Sequence, residues 1–317
     1  MVSYSDIVAA RENIGKYIYR TPLEPSIHLS GKGSNVFLKL ECQQRLKSFK
    51  VRGALNKLMS LSEEEKRKGV IAVSSGNHGA GVSYSARVLG GIDAKIFVPE
   101  TTPKAKVEKI EYYGATIVKT GVNYDEAHMA ALEIQKKEQR TFVDPCSDPV
   151  VIAGAGTIAL EIIEQCPDTD IILVPIGGGG LITGIGVAAK QLKPSVKIIG
   201  VQTGACPAMI RSLQDNICYT EYPTEPSICD ALVGGVGEIP FQMAKYCIDD
   251  ILEVGEALIR KAVRHLLTTE KAVAEPASAV GIAAVLDRPS IFEGRNTAVV
   301  ITGGNLDDKL MRDILNG

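Results

Sequence analysis

The chain has 317 residues, 45% hydrophobic and 23% charged, with a formal net charge of -2. That is a globular composition on a length too great for one ordinary core, so two domains are expected. The near-neutral charge, with no Lys/Arg-rich run, offers no footprint for nucleic acid or an anionic membrane surface, and a small neutral or zwitterionic substrate fits better.

The seven cysteines contain no C-x-x-C pair, which argues against a disulfide framework and a zinc site and for reduced thiols in a cytoplasm. His28, His78, His128 and His265 share no metal-ligand spacing.

From the start, MVSYSDIVAARENIG meets Asp6, Arg11 and Glu12 too early for a secretory signal and predicts a capped first helix. Nine short β-branched runs follow: VFLKL, VIAVS, AKIFVP, TIVK, TFV, IILVP, KIIGV, ILEV and TAVVIT, with helix-compatible segments between them. This alternation predicts an α/β protein with open, mostly parallel sheets and flanking helices. Several runs are apolar throughout, as strands covered on both faces are. Residues 69–148 hold four of the runs and predict a small domain inserted into a larger one made of 1–68 and 149–317. The uncharged stretch Ile171 to Ala189 is close to the ~20 residues that a membrane span requires. Pro175 and four glycines interrupt it, so a strand, a tight loop and a helix are expected instead. The chain closes on a helix, DDKLMRDILN.

In open α/β sheets ligands sit beyond the carboxyl ends of the strands. Three of these junctions are unusual: Ser74-Ser75-Gly76-Asn77-His78-Gly79, then Gly177-Gly178-Gly179-Gly180-Leu181, then Thr302-Gly303-Gly304-Asn305. The glycine run leads straight into LITGIGVAAKQL, so its N–H groups and the helix dipole would converge on an anion, a phosphate being the natural occupant. A merely tight turn would ask for fewer glycines. A dinucleotide site lacks support, since there is no Walker lysine and KIIGV ends in Gln202 rather than in a carboxylate for a ribose. Lys50, in Ser48-Phe49-Lys50-Val51-Arg52-Gly53, says nothing alone. A desolvated lysine can act as nucleophile or base, but most lysines only solvate a surface.

The order of motifs KLECQQRLKSFKVRGA, SSGNHGAG, VPETTPKAKVEKIEYYGA, GGGGL and ITGGN resembles the fold type II pyridoxal-phosphate enzymes, and within them the threonine and serine dehydratases and serine racemases. The likeness runs from about Arg20 to Asn305. It implies a two-domain fold like that of the tryptophan synthase β-subunit, with pyridoxal 5'-phosphate held by Lys50 as a Schiff base and Phe49 against the ring. Asn77 would face the ring's 3-oxygen, Gly177 to Gly180 would cradle the phosphate, and Thr302 would face the pyridine nitrogen. Ser74, Asn77 and His78 would hold the substrate carboxylate. The freed Lys50 amine would remove the Cα proton, the β-hydroxyl would leave, and the product would hydrolyse to a 2-oxo acid and ammonia.

Ser75 chooses between activities. In racemases of this family a serine there faces the substrate side opposite the lysine, and racemisation needs an acid/base group on each side; the plain alternative is a small polar residue near a helix start. Metal-activated members carry a glutamate and an aspartate where this chain has Gln202 and Ala208, so no magnesium or calcium is expected there. Ala155 stands where a glutamine is usual, Leu46-Lys47 where Thr-Gly is frequent, and Cys42 where asparagine is, which leaves open another β-hydroxy amino acid, such as hydroxyaspartate or a hydroxyectoine breakdown product. With the sequence ending at Gly317, no C-terminal regulatory domain is expected, and a catabolic enzyme is the expectation. The resemblance also implies a homodimer. A catalytically silent sensor would not need Lys50, Asn77 and Thr302 together.

Overall fold

The computed structural model describes residues 1–31 and 33–317. All nine runs form strands, and a tenth joins them: β1 (Leu23–Gly31), β2 (Ser34–Lys39), β3 (Val70–Val73), β4 (Ala94–Val98), β5 (Thr116–Lys119), β6 (Thr141–Phe142), β7 (Ile171–Pro175), β8 (Lys197–Thr203), β9 (Asp250–Val254) and β10 (Asn296–Val300). The unforeseen β1 is mostly polar or exposed and carries Pro25. It pairs antiparallel with β2 at a sheet edge, where proline is tolerated because one row of N–H groups needs no partner.

The large sheet runs β1-β2-β10-β7-β8-β9 and the small one β5-β4-β3-β6. Every pairing except β1 with β2 is parallel. The uniformly apolar runs are the covered strands, since β3 and β7 are buried along their whole length. Ser3 and Asp6 form a reciprocal capping box on the first helix, Tyr4–Ile14. The stretch from Ile171 divides into β7, the glycine loop and the helix Gly180–Leu192. Among the described residues no helix is long and apolar enough to cross a membrane.

Three helices meet at glycines. A Cβ on Gly154 would lie 2.5 Å from the Arg52 carbonyl oxygen, and one on Gly184 would lie 2.4 Å from that of Ile152. The helix Pro149–Gln165 is thereby pressed against both Lys50–Met59 and Gly180–Leu192, which brings the first turns carrying Lys50 and Gly180 close together.

Four buried charges fix the same helices from below. Arg52 donates to Glu41 through Nε and Nη2 (2.8 Å each) and to Glu161 through Nη1 (2.7 Å) and Nη2 (3.1 Å), with Thr157 Oγ1 accepting at 3.2 Å. Lys39 Nζ donates to Glu161, to Gln165 and to the Thr21 carbonyl at 2.6, 2.8 and 2.7 Å. Burial opposes the Glu161 charge, but Arg52 and Lys39 outweigh it and hold that carboxyl below its ordinary value. Removing one member strands the others in a medium that cannot solvate them. Arg52→Met is therefore expected to cost about 3–5 kcal/mol, seen as a lower urea midpoint; a wild-type midpoint would contradict the role given to this cluster.

Candidate active site

Lys50 opens its helix at the carboxyl end of the large sheet. The Phe49 N–H donates to the Thr302 carbonyl (3.1 Å) and Ser48 bridges Gly303, so this segment is tied to the loop that follows β10. The Lys50 amine donates to the Pro145 carbonyl at 3.1 Å and lies 5.2 Å from the Phe49 ring centre. Burial pulls the Lys50 pKa below its usual value, against the raising influence of Cys146, Asp144 and Glu275. A cavity beside the amine is lined by Phe49, Pro145, Ala155, Gly180 and Leu181. Ala155, one of the residues that depart from the family pattern, thus lines the space next to Lys50.

The glycine loop presents donors without acceptors. No described residue accepts from the N–H of Gly177, Gly178, Gly179 or Gly180, and Gly180 begins a 13-residue helix. Gly179 has φ +91°, a conformation L side chains rarely adopt. A Cβ on Gly178 would stand 2.5 Å from Cys146 Sγ, so the loop lies directly on the segment that also receives the Lys50 amine. Adjacent free N–H groups at a helix start form an anion site.

After β3, the N-cap of the helix Asn77–Val88 is Gly76. Ser74 Oγ accepts from the Gly76 N–H at 3.2 Å. Ser75, just before that N-cap, is half-buried, and its hydroxyl makes no capping hydrogen bond. His78 is buried, with Nε2 2.8 Å from the Val143 carbonyl. A carbonyl can only accept, so Nε2 carries the proton, and the buried Nδ1 has no partner. Burial first, then the Lys50 charge, lowers the His78 pKa to about 4. The ring is neutral at pH 7.

Thr302 Oγ1 lies 3.0 Å from Ser278 Oγ, which donates to the Gly303 carbonyl and accepts from the Gly303 N–H, both at 2.7 Å. Asn77 Nδ2 donates to both oxygens of buried Glu275 at 2.9 and 3.2 Å. Burial raises the Glu275 pKa. Neither Ser278 nor Glu275 was singled out from the sequence, although a carboxylate at the N-cap of the mostly apolar helix PASAVGIAAVLD was a signal available to find the latter. At the position where a cation was not expected, Gln202 accepts from the Ile210 N–H (3.1 Å) and donates to the Cys206 carbonyl (3.4 Å). Among the described residues no three His, Cys, Asp or Glu side chains cluster as metal ligands.

Residues 14–303 match the family described as pyridoxal-phosphate dependent enzyme. The chain belongs to that family. It is 43% identical to the L-threonine ammonia-lyase of Thermotoga maritima over 318 residues, covering 100% of this chain and 79% of that protein. It is 40% identical to the catabolic L-threonine dehydratase of Escherichia coli K12, covering 96% and 94%. The structure superposes on maize serine racemase with a TM-score of 0.91 at 30% identity, covering 99% and 97%. The fold is that of the fold type II members, and the cofactor is pyridoxal 5'-phosphate. The residues present fit it: a half-buried lysine stands beside four unpaired N–H groups at a helix start.

The depressed His78 pKa has a consequence for stability. Between pH 6.5, the ordinary histidine value, and about 4, the unfolded chain binds a proton that the folded chain refuses, so stability falls as pH falls through that window. Urea unfolding of wild type and His78→Gln across this range should show a shallower slope in the variant. Parallel slopes would refute it.

Proposed function

We propose that this enzyme is an ammonia-lyase acting on a small amino acid, dehydrating L-threonine or L-serine to a 2-oxo acid and ammonia, with Lys50 as the cofactor lysine. The carrying observation is the Lys50 amine, seated on the Pro145 carbonyl and drawn by burial toward its neutral form, beside the free N–H groups of Gly177 to Gly180. The names of the Thermotoga and Escherichia relatives supply the substrate.

When bound, the cofactor supplies the electron sink that makes the substrate's Cα proton removable. Lys50, biased by burial toward its neutral form, takes that proton as general base. Gly177 to Gly180 would hold the phosphate and Phe49 would lie against the ring. Asn77 would donate to the 3-oxygen. Thr302, its hydroxyl paired with Ser278, would meet the ring nitrogen without fixing a proton there, as an aspartate would. Ser74, Asn77 and His78 hold the substrate carboxylate, and His78 does so through its backbone N–H, because its ring N–H is already committed to Val143.

A second reading, serine racemisation, is favoured by one observation: the Ser75 hydroxyl serves no capping role, as a second acid/base group requires. The likeness to maize serine racemase points the same way. The same proposal takes residues 1–68 plus 149–317 as the cofactor domain and 69–148 as the substrate-loop domain, because the small sheet lies wholly within the latter. It also takes the protein as a homodimer by family analogy and as cytoplasmic, supported by seven free cysteines.

Purified protein should carry a visible band that borohydride abolishes and Lys50→Ala lacks, with activity in that variant lower by on the order of a thousandfold. A colourless, cofactor-reconstituted wild type would sink the assignment. Chiral chromatography after incubation with L-threonine and L-serine should give keto acid. Ser75→Ala should keep the dehydration and lose any D-serine; if both activities survive, Ser75 is structural, and if wild type forms neither product, another β-hydroxy amino acid is the substrate.

A further inference from the structure

Lys109 lies on the helix Lys104–Glu111, which links β4 to β5 in the small sheet. Its ammonium leaves that sheet and donates to Asn305 Oδ1 (2.6 Å) and to the Leu46 carbonyl (3.1 Å), both on loops of the large sheet. Asn305 Nδ2 in turn donates to the same Leu46 carbonyl (3.0 Å) and to Asn77 Oδ1 (2.5 Å), and Asn77 Nδ2 donates to Glu275. One continuous relay therefore runs from an ammonium through two amides to a carboxylate.

Direction is what such a relay transmits. A primary amide presents an acceptor on one side and donors on the other, and turning it over exchanges them. An ammonium can only donate, so Lys109 obliges Asn305 to show it oxygen and to turn its nitrogen toward Asn77. Asn77 must then show oxygen to Asn305 and keep its own nitrogen for Glu275. An amide nitrogen has two N–H groups: one satisfies the carboxylate and the other is left for a ring oxygen.

The same hydrogen bonds stabilise a strained turn. Leu46 and Lys47 have φ of 61° and 58°, and each such residue costs about 1–3 kcal/mol unless its surroundings enforce it. The Leu46 carbonyl receives both Lys109 and Asn305, and the Lys47 carbonyl accepts from the Gly304 N–H at 2.8 Å. This turn leads directly into Ser48-Phe49-Lys50.

We propose that Lys109 is a positioning residue which, acting through Asn305, sets the Asn77 amide with its nitrogen toward the cofactor ring. The inference rests on the reading of Asn77 as donor to the 3-oxygen. Lys106, one turn earlier on the same helix, supplies a control, because it pairs with Asp230 at 3.0 Å and tethers that helix to the large sheet's loops without touching the relay.

The experiment compares visible spectra and cofactor dissociation constants of the holoenzymes. Lys109→Met should shift the band of the Lys50-bound cofactor and weaken cofactor binding about tenfold, the size of one hydrogen bond involving a charged group. Lys109→Arg should restore the band, and Lys106→Met should leave band and affinity unchanged. In an Asn305→Ala background Lys109→Met should have a clearly smaller effect, since only its hydrogen bond to the Leu46 carbonyl is then left to lose. A wild-type band and affinity in Lys109→Met, or an undiminished effect without Asn305, overturns the inference while leaving the function standing. A wild type with no Lys50-dependent band overturns both. If Lys109→Met does not fold, Asn305→Ala carries the test, since it cuts the same relay and must shift the band.

Discussion

The structure depends first on an ion cluster closed to water. Arg52 and Lys39 are wholly buried, as is Glu41, and Glu161 is nearly so. Isolated charges at such depth would cost several kcal/mol each. Here the four cancel in sign and leave no guanidinium or ammonium hydrogen idle. The cluster also joins four stretches distant in the chain: the segment around Thr21, the end of β2 with its following turn, the Lys50 helix and the Pro149–Gln165 helix. Arg52 is two residues beyond Lys50, so whatever fixes the guanidinium fixes the base of the lysine. Above the cluster, close glycine contacts let three helices approach until the Lys50 amine and the Gly177–Gly180 loop share one neighbour, the 145–146 segment.

At the site, burial pushes every shifted group the same way. It lowers the Lys50 pKa and takes His78 down to about 4, raises the Glu275 carboxyl and takes Cys146 up to about 12. Each move favours the neutral form. Against that background the oriented N–H groups of Gly177 to Gly180 offer partial positive charge, which needs no reorganisation when an anion arrives. A phosphorylated cofactor and a zwitterionic substrate suit this environment, whereas an enzyme lined with exposed ion pairs would present competing charges.

Much of this was legible in the sequence, and the limits have physical causes. The nine β-branched runs all gave strands, and those covered on both faces, such as β3 and β7, left the strongest local imprint. β1 escaped because an edge strand with one wet face and a proline leaves almost none. The segments of Asn77, Gly177 to Gly180 and Thr302 were expected at strand ends and that of Lys50 from motif order, and the structure gathers these segments at the carboxyl edges of the two sheets. Ser278 and Glu275 were missed, since their meaning lies in contacts across 25 to 198 residues of chain that no local pattern records. Leu46 and Lys47 were noticed only as departures from a family pattern. Their left-handed backbone shows why glycine suits the second of those positions elsewhere, and what this chain needs in order to hold two side chains there.

The place of β10 bears on how the molecule comes into being. This strand, the last in sequence, lies inside the large sheet, hydrogen-bonded to β2 on one side and β7 on the other. Until it arrives, the sheet is two separate ladders with bare facing edges, and neither Phe49 nor Ser48 has its partner in Thr302 or Gly303. Such long-range closure is slow to form, and open edges invite wrong pairings in the interval. Lys50 is translated early but is seated only once β10 has arrived, so the segment that carries it cannot settle before the large sheet is complete.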